Sequence, residues 1–149
     1  MMSLQIAIKK FEDFEVNELY ELLRLRTEVF VVEQDCVYQD MDNKDQKALH
    51  VIGYFKDRIV AYTRIFKPGD YFETSSIGRV VVDPNFRKSG YGREIMNASI
   101  QASYNLFGRQ PITLSAQCYL FEFYTSLGFK QVSEEYLEDG IPHIKMNKN

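Results

Sequence analysis

The segment Arg87-Lys88-Ser89-Gly90-Tyr91-Gly92, followed by Arg93, sets two glycines one residue apart among three cationic side chains. These residue types suit a phosphate. Glycine lets a backbone approach a ligand closely, and the first N–H groups of a helix lack intrahelical acceptors. The helix dipole adds partial positive charge there, while Arg87, Lys88 and Arg93 bring mobile charge to the same rim. The loop is not a Walker A loop, because no Lys-Ser or Lys-Thr pair follows Gly92. It is not the dinucleotide fingerprint either, since Ile95 stands where that motif needs a small residue and the unit lies mid-chain. Taken alone, Gly-x-Gly also fits an ordinary turn between strand and helix.

Other residues carry chemistry or structure. Tyr124 offers a phenol, with an ordinary pKa near 10. Glu33 and His143 are the candidates for a base, and each also reads as a structural residue. Cys36 and Cys118 have neither metal spacing nor a disulfide framework, which suits a reduced setting. Asp40-Met41-Asp42-Asn43-Lys44-Asp45 lacks the glycine and final glutamate of an EF-hand, and Lys44 opposes a cation, so no metal is expected. That loop, with Glu134, Glu135, Glu138 and Asp139, reads as a solvated face or as a surface that attracts a cationic amine.

The elements that must position these groups follow from periodicity. Leu4–Ile8 alternates as a half-buried strand does. Val16, Leu19, Leu22, Leu23, the stem of Arg26, Val29 and Phe30 share one face of a helix over 16–30. His50–Phe55 and Arg58–Phe66 flank Lys56-Asp57 as a hairpin. Ile77–Val82 ends in consecutive valines, suiting a central strand covered on both faces, and Asp83-Pro84 stops it. A helix from Gly92 to about Leu106 carries the stripe Ile95, Met96, Ser99, Ile100, Ser103 and Leu106, with Gly108 as its stop. A buried strand at 111–116, a helix at 119–127 closed by Gly128, and strands at 130–133 and 143–146 complete the chain. The order β-α-β-β-β-α-β-α-β-β predicts an α/β (α+β) domain, a mixed sheet with packed helices.

Composition bounds the function. The 149 residues suit one domain, and 45% hydrophobic with 26% charged residues is ordinary for a globular protein. A net charge of −3 gives no excess positive charge to hold nucleic acid. The N-terminus is no signal peptide and no apolar run spans a membrane, so a cytoplasmic protein is expected. A homodimer is the ordinary expectation for an oligomer.

Arg87-x-x-Gly90-x-Gly92 after Val80-Val81-Val82-Asp83-Pro84 resembles the coenzyme A signature of the GNAT acyltransferase superfamily. Phe123-Tyr124-Thr125-Ser126-Leu127-Gly128-Phe129 is similar to that superfamily's second motif, in the right order and at about the right separation. Val29-Phe30-Val31-Val32-Glu33-Gln34, Tyr38-Gln39-Asp40 and Asp139-Gly140-Ile141-Pro142-His143 look like its ElaA-type subgroup. The resemblance covers the whole domain. It implies a mostly antiparallel GNAT sheet flanked by helices, with acetyl-CoA as co-substrate and direct transfer to a small-molecule or peptide amine in a ternary complex. The pantetheine would run along Val80, Val81 and Val82, and the pyrophosphate would rest on Lys88, Ser89, Gly90, Tyr91 and Gly92, near Arg87 and Arg93. Tyr124, beside Phe123, matches the tyrosine near the thioester sulfur, and Gln117 stands where the superfamily often has asparagine. Several members carry a glutamate on the central strand; here that strand offers Arg79 and no carboxylate. That departure keeps a non-catalytic acyl-CoA-binding or regulatory module as the alternative.

Overall fold

The computed structural model describes residues 3–149. One eight-stranded sheet forms the middle layer, in the order β1-β2-β3-β4-β5-β8-β6, with β7 pairing to β8. Strand β1 is Gln5–Lys10, β2 is Leu49–Phe55, β3 is Arg58–Phe66 and β4 is Ser75–Val82. After these come β5 (Ile112–Gln117), β6 (Lys130–Gln131), β7 (Tyr136–Glu138) and β8 (Ile141–Lys148). All pairings are antiparallel except β4 with β5. Lys56 and Asp57 both take positive φ between β2 and β3, as a two-residue type I′ turn requires. Strand β7 is an addition to the sequence reading, too short at three residues to show a period.

Helix α1 (Val16–Thr27) covers one face of the sheet, and α2 (Tyr91–Phe107) covers the other. Leu22, Leu25, Val29 and Phe30 pack on Ile52, Ile59, Tyr62 and Val81. Beneath α2, Ile95, Met96 and Ile100 meet Val51, Ile65 and Leu114. The buried faces are rotated slightly from those expected. Val16 is 84% exposed and Leu106 54% exposed, because each lies in a terminal turn overhanging the sheet. Arg26 was expected to bury only its stem, yet the whole side chain is enclosed.

Past Thr27 the chain widens into a π-helical turn, Glu28–Glu33, which carries α1 over the open end of the sheet. Such turns insert an extra residue and often accompany functional sites. Helix α3 (Phe121–Ser126) follows a 3₁₀ turn at Cys118–Leu120.

Candidate functional site

The site begins where the sheet splits. Strand β4 bonds to β5 only at Ser75–Ile112 and Ser76–Thr113. From there β5 stays with β8, pairing from Ile112 through Gln117, while β4 turns away. β4 is a central strand with helices over both faces, as expected, but from Ile77 onward its edge toward β5 faces a gap. A bulge sharpens the divergence. Gly78 pairs with Arg64 and Val81 with Tyr62, so Arg79 and Val80 together oppose Thr63. Arg79 takes φ 50, a left-handed value that costs a non-glycine residue energy and persists only where the surroundings hold it.

The gap opens into a cleft of about 470 Å³. Val80 and Val82 form one wall, while Val81 sends its side chain into the core under α1. Arg87, Lys88, Gly90, Tyr91 and Gly92 form its loop end, and Gln117, Phe123 and Tyr124 close the opposite side. Gly90, at the N-cap of α2, takes φ 81, which admits glycine without strain. A Cβ on Gly92 would meet Phe123 Cζ at 3.7 Å and Val82 Cγ2 at 3.8 Å, so larger side chains would fill the cleft floor. Ser89 and Arg93 do not line this cleft. Arg93 donates to Ser126 Oγ at 2.7 Å and lies over the Phe123 ring.

A second, smaller chamber of about 100 Å³ adjoins the first. Phe30, Gln34, Val80, Gln117, Leu120 and Tyr124 belong to the walls of both. Gln34 Nε2 donates to Gln117 Oε1 at 3.3 Å across that junction. Beyond it the chamber is lined by Tyr38, Ser115, Glu138, Asp139 and His143. Gln34, Phe30, Leu120 and Ser115 carry no local signal of a site in the sequence, although Phe30 and Gln34 sit inside the Val29–Gln34 phrase.

Tyr124 is buried, packed edge-on against Phe123 and Phe129. Burial pushes its phenol well above the usual tyrosine range, so it is protonated and able to donate throughout the physiological range. His143, 6% exposed, is the third residue of β8 and lies opposite Gln117. Its Nδ1 donates to the Ile141 carbonyl at 2.7 Å. A carbonyl only accepts, so the neutral ring keeps its lone pair on Nε2, which has Glu138 Oε2 at 3.5 Å.

Glu33 lines neither cavity. It holds Arg87 in a bidentate pair, Nη1 to Oε2 at 2.7 Å and Nη2 to Oε1 at 2.6 Å. The hydrogen bonds from Arg87 keep the Glu33 carboxyl below the usual carboxylate range. A carboxylate so held is a weak base.

The aspartates of the acidic loop turn inward rather than to solvent. Asp40 and Asp45 are buried with Arg26 and Arg64. Arg26 donates to Asp40 Oδ2 at 2.9 Å and Asp45 Oδ1 at 2.8 Å; Arg64 donates to Asp45 Oδ1 at 2.9 Å and to both oxygens of Asp42 at 2.8 Å. Arg79 completes the set, with Nε 2.8 Å from Asp40 Oδ1 and Nη2 3.4 Å from Asp42 Oδ2. Three arginines neutralise three aspartates, which corrects the reading of Asp40, Asp42 and Asp45 as a lure for a cation. Their role is to fasten the loop carrying Tyr38 against β4.

Comparison with known proteins agrees with this architecture. Residues 11–149 match the family model described as an acetyltransferase (GNAT) domain. Protein ElaA of Escherichia coli (strain K12) is 43% identical over 136 residues, 90% of this chain and 89% of its own. Its crystal structure aligns with a TM-score of 0.91 over 98% of this chain and 99% of that one. The crystal structure of an acyl-CoA N-acyltransferase from Pseudomonas aeruginosa aligns at 0.93, with 41% identity, over 99% of this chain and all (100%) of that one. A GNAT family acetyltransferase from Elizabethkingia anophelis, crystallised with acetyl-CoA bound, shares the fold at 14% identity and a TM-score of 0.70, over 98% of this chain and 97% of its own. Among the described residues no helix is long and apolar enough to cross a membrane. The chain belongs to the GNAT acetyltransferase family and, within it, to the ElaA-type group.

Proposed function

We propose that this protein transfers the acetyl group of acetyl-CoA to a primary amine, by direct attack within a ternary complex. The observation that carries the reading is the junction of two cavities at Gln34, Gln117 and Tyr124, with the glycine loop at one end and His143 at the other. The Elizabethkingia anophelis relative in fold was crystallised with acetyl-CoA, which supports the same ligand here.

In this reading the pyrophosphate rests on the Lys88–Gly92 loop and takes Arg87 away from Glu33. The pantetheine lies in the gap and bonds to the free edge of β4 as an added strand would. The thioester then sits at the junction. The amine enters from the smaller chamber as an ammonium and must first lose a proton, because only the free base has a lone pair. His143 Nε2 is the acceptor for that proton. Attack forms the C–N bond, and collapse breaks the C–S bond. An ammonium nitrogen gives up two protons on becoming an amide: one ends on the sulfur of coenzyme A, the other leaves through His143. Tyr124 donates a hydrogen bond to the departing sulfur. Backbone N–H groups at the Arg79–Val80 bulge are the candidates for steadying the oxyanion.

The test is release of free thiol from acetyl-CoA against alkylamines, polyamines, amino acid amides and peptides, with each acetylated product identified by mass. Turnover with an amine supports the reading. Micromolar binding of acetyl-CoA with no turnover on any amine would leave a non-catalytic acyl-CoA-binding module in its place.

A further inference from the structure

We infer that Glu138 is the acceptor-binding, specificity-determining residue, and that the acceptor is a small amine with no anionic group beside its reactive nitrogen. This rests on the transfer reading above and assigns the charge that the smaller chamber selects.

The chamber's charged lining comes from three elements. Strand β4 contributes Arg79, whose charge is matched within the Arg26–Arg64–Arg79 and Asp40–Asp42–Asp45 set described above. Strand β7 ends in Glu138, and the turn after it supplies Asp139. Among the described residues neither pairs with a lysine or an arginine, and Glu138 has only His143 Nε2, 3.5 Å away, as an ion-pair partner, so two carboxylates face the chamber. A cation is drawn in; a carboxylate beside the nitrogen is opposed.

Glu138 is also built to hold a ligand. Its Oε1 accepts from Ser115 Oγ at 3.1 Å, and Ser115 is itself hydrogen-bonded to the Tyr136 hydroxyl. The carboxylate is therefore aimed, while its side chain keeps 42% exposure. Its Oε2 stands 3.5 Å from His143 Nε2. A second observation points to the same spot. His143 is more than nine-tenths buried, stacks on Tyr136 and bonds through Nδ1, while among the described residues its Nε2 makes no hydrogen bond and has Glu138 Oε2 at 3.5 Å in the chamber it lines. An ammonium held by Glu138 Oε2 would lie beside that lone pair, so the residue that captures the cation presents its proton to the base. The proton passes from the ammonium nitrogen to Nε2, and the resulting imidazolium stays paired with Glu138.

The probes are glycinamide and glycine, which share a reactive amine and differ in whether the neighbouring group is a neutral amide or a carboxylate. The ratio of their kcat/KM values is measured in the wild type and in Glu138→Gln. Comparing ratios cancels the different basicities of the two amines. The expected result is that glycinamide is strongly preferred, and that E138Q lowers the preference about tenfold through the KM for glycinamide, with acetyl-CoA affinity unchanged. A ratio equal to that of the wild type overturns the inference, as does an equal loss of kcat for both probes. Binding of the same probes to the coenzyme A-loaded protein, followed by ligand-observed NMR, reads the charge selection without turnover. Selective binding of glycinamide that E138Q abolishes sustains the role of Glu138 even if no amine is acetylated. Equal binding of the two probes refutes it even if transfer is real.

Discussion

Replacing Glu33 with glutamine should tighten the binding of coenzyme A. In the ligand-free protein Arg87 is engaged by both oxygens of Glu33, at 2.6 and 2.7 Å, and both side chains are near 40% exposed (41% and 40%). At that exposure solvent screens the pair, so its worth is roughly 0.2–1 kcal/mol, with bidentate geometry favouring the upper end. Binding a phosphate at Arg87 forfeits this contact and leaves a carboxylate beside the dianionic pyrophosphate. Removing the carboxylate therefore relieves up to about 1 kcal/mol, and the Kd for coenzyme A falls about two- to fivefold. Arg87 lowers the Glu33 carboxyl, so the wild-type penalty is complete above the ordinary glutamate value of about 4.3 and fades as pH falls through the lowered one. Calorimetric titration with coenzyme A near neutral pH, at low and high salt, measures the difference. The gap between the two proteins should narrow with salt, because the charges are exposed. An unchanged or weaker affinity in E33Q would show that Glu33 does not compete with the ligand for Arg87. An unchanged affinity with amine turnover down about a hundredfold would instead identify Glu33 as the base.

Three further outcomes are expected. Asp45→Asn removes the acceptor shared by Arg26 and Arg64, leaving two buried cations short of a partner. The cost is about 3–5 kcal/mol, a fall in Tm of roughly 10 °C or more by thermal denaturation. Acid should act in the same direction. Burial alone would raise the Asp42 and Asp45 carboxyls, but the arginine hydrogen bonds outweigh it and hold both low. Their contribution is thus present above the ordinary aspartate value of about 3.9 and lost as pH falls through the lowered ones, a loss that D45N should diminish in denaturation measured against pH. Tyr124→Phe keeps the ring packing and loses the donor, so kcat should fall roughly tenfold to several-hundredfold with acetyl-CoA affinity nearly unchanged, by thiol release and calorimetry. His143→Gln should remove most of the amine turnover, on the order of a hundredfold by thiol release, with acetyl-CoA affinity unchanged by calorimetry; turnover near the wild-type rate would exclude His143 as the base.

What the sequence revealed and what it concealed divide on physical lines. The glycine loop was legible because its requirements are local: a glycine able to take φ 81, a helix start and nearby cations. The hairpin at Lys56-Asp57 and the α2 stripe were legible for the same reason, apart from the overhanging Leu106. The arginine–aspartate set was not, because its partners lie 14 to 39 residues apart and a charged loop ordinarily faces water. Arg26 accordingly looked like a stem on an amphipathic helix. The bulge at Arg79 was hidden because arginine carries no preference for positive φ. Consecutive valines in β4 suggested full coverage on both sides. They give no hint that β5 leaves after two residue pairs, since that divergence depends on β8 claiming the whole of β5. His143 could be named from sequence as a candidate, but its proton position needed the Ile141 carbonyl 2.7 Å away.

A crystal structure with acetyl-CoA would show whether the split between β4 and β5 is the acyl-transfer site. The pyrophosphate should lie on the Lys88–Gly92 amides with Arg87 released from Glu33, the pantetheine beside Val80–Val82, and the thioester at the junction of Gln34, Gln117 and Tyr124. A coenzyme bound outside that gap, or one whose thioester lies away from the chamber holding His143 and Glu138, would contradict that assignment.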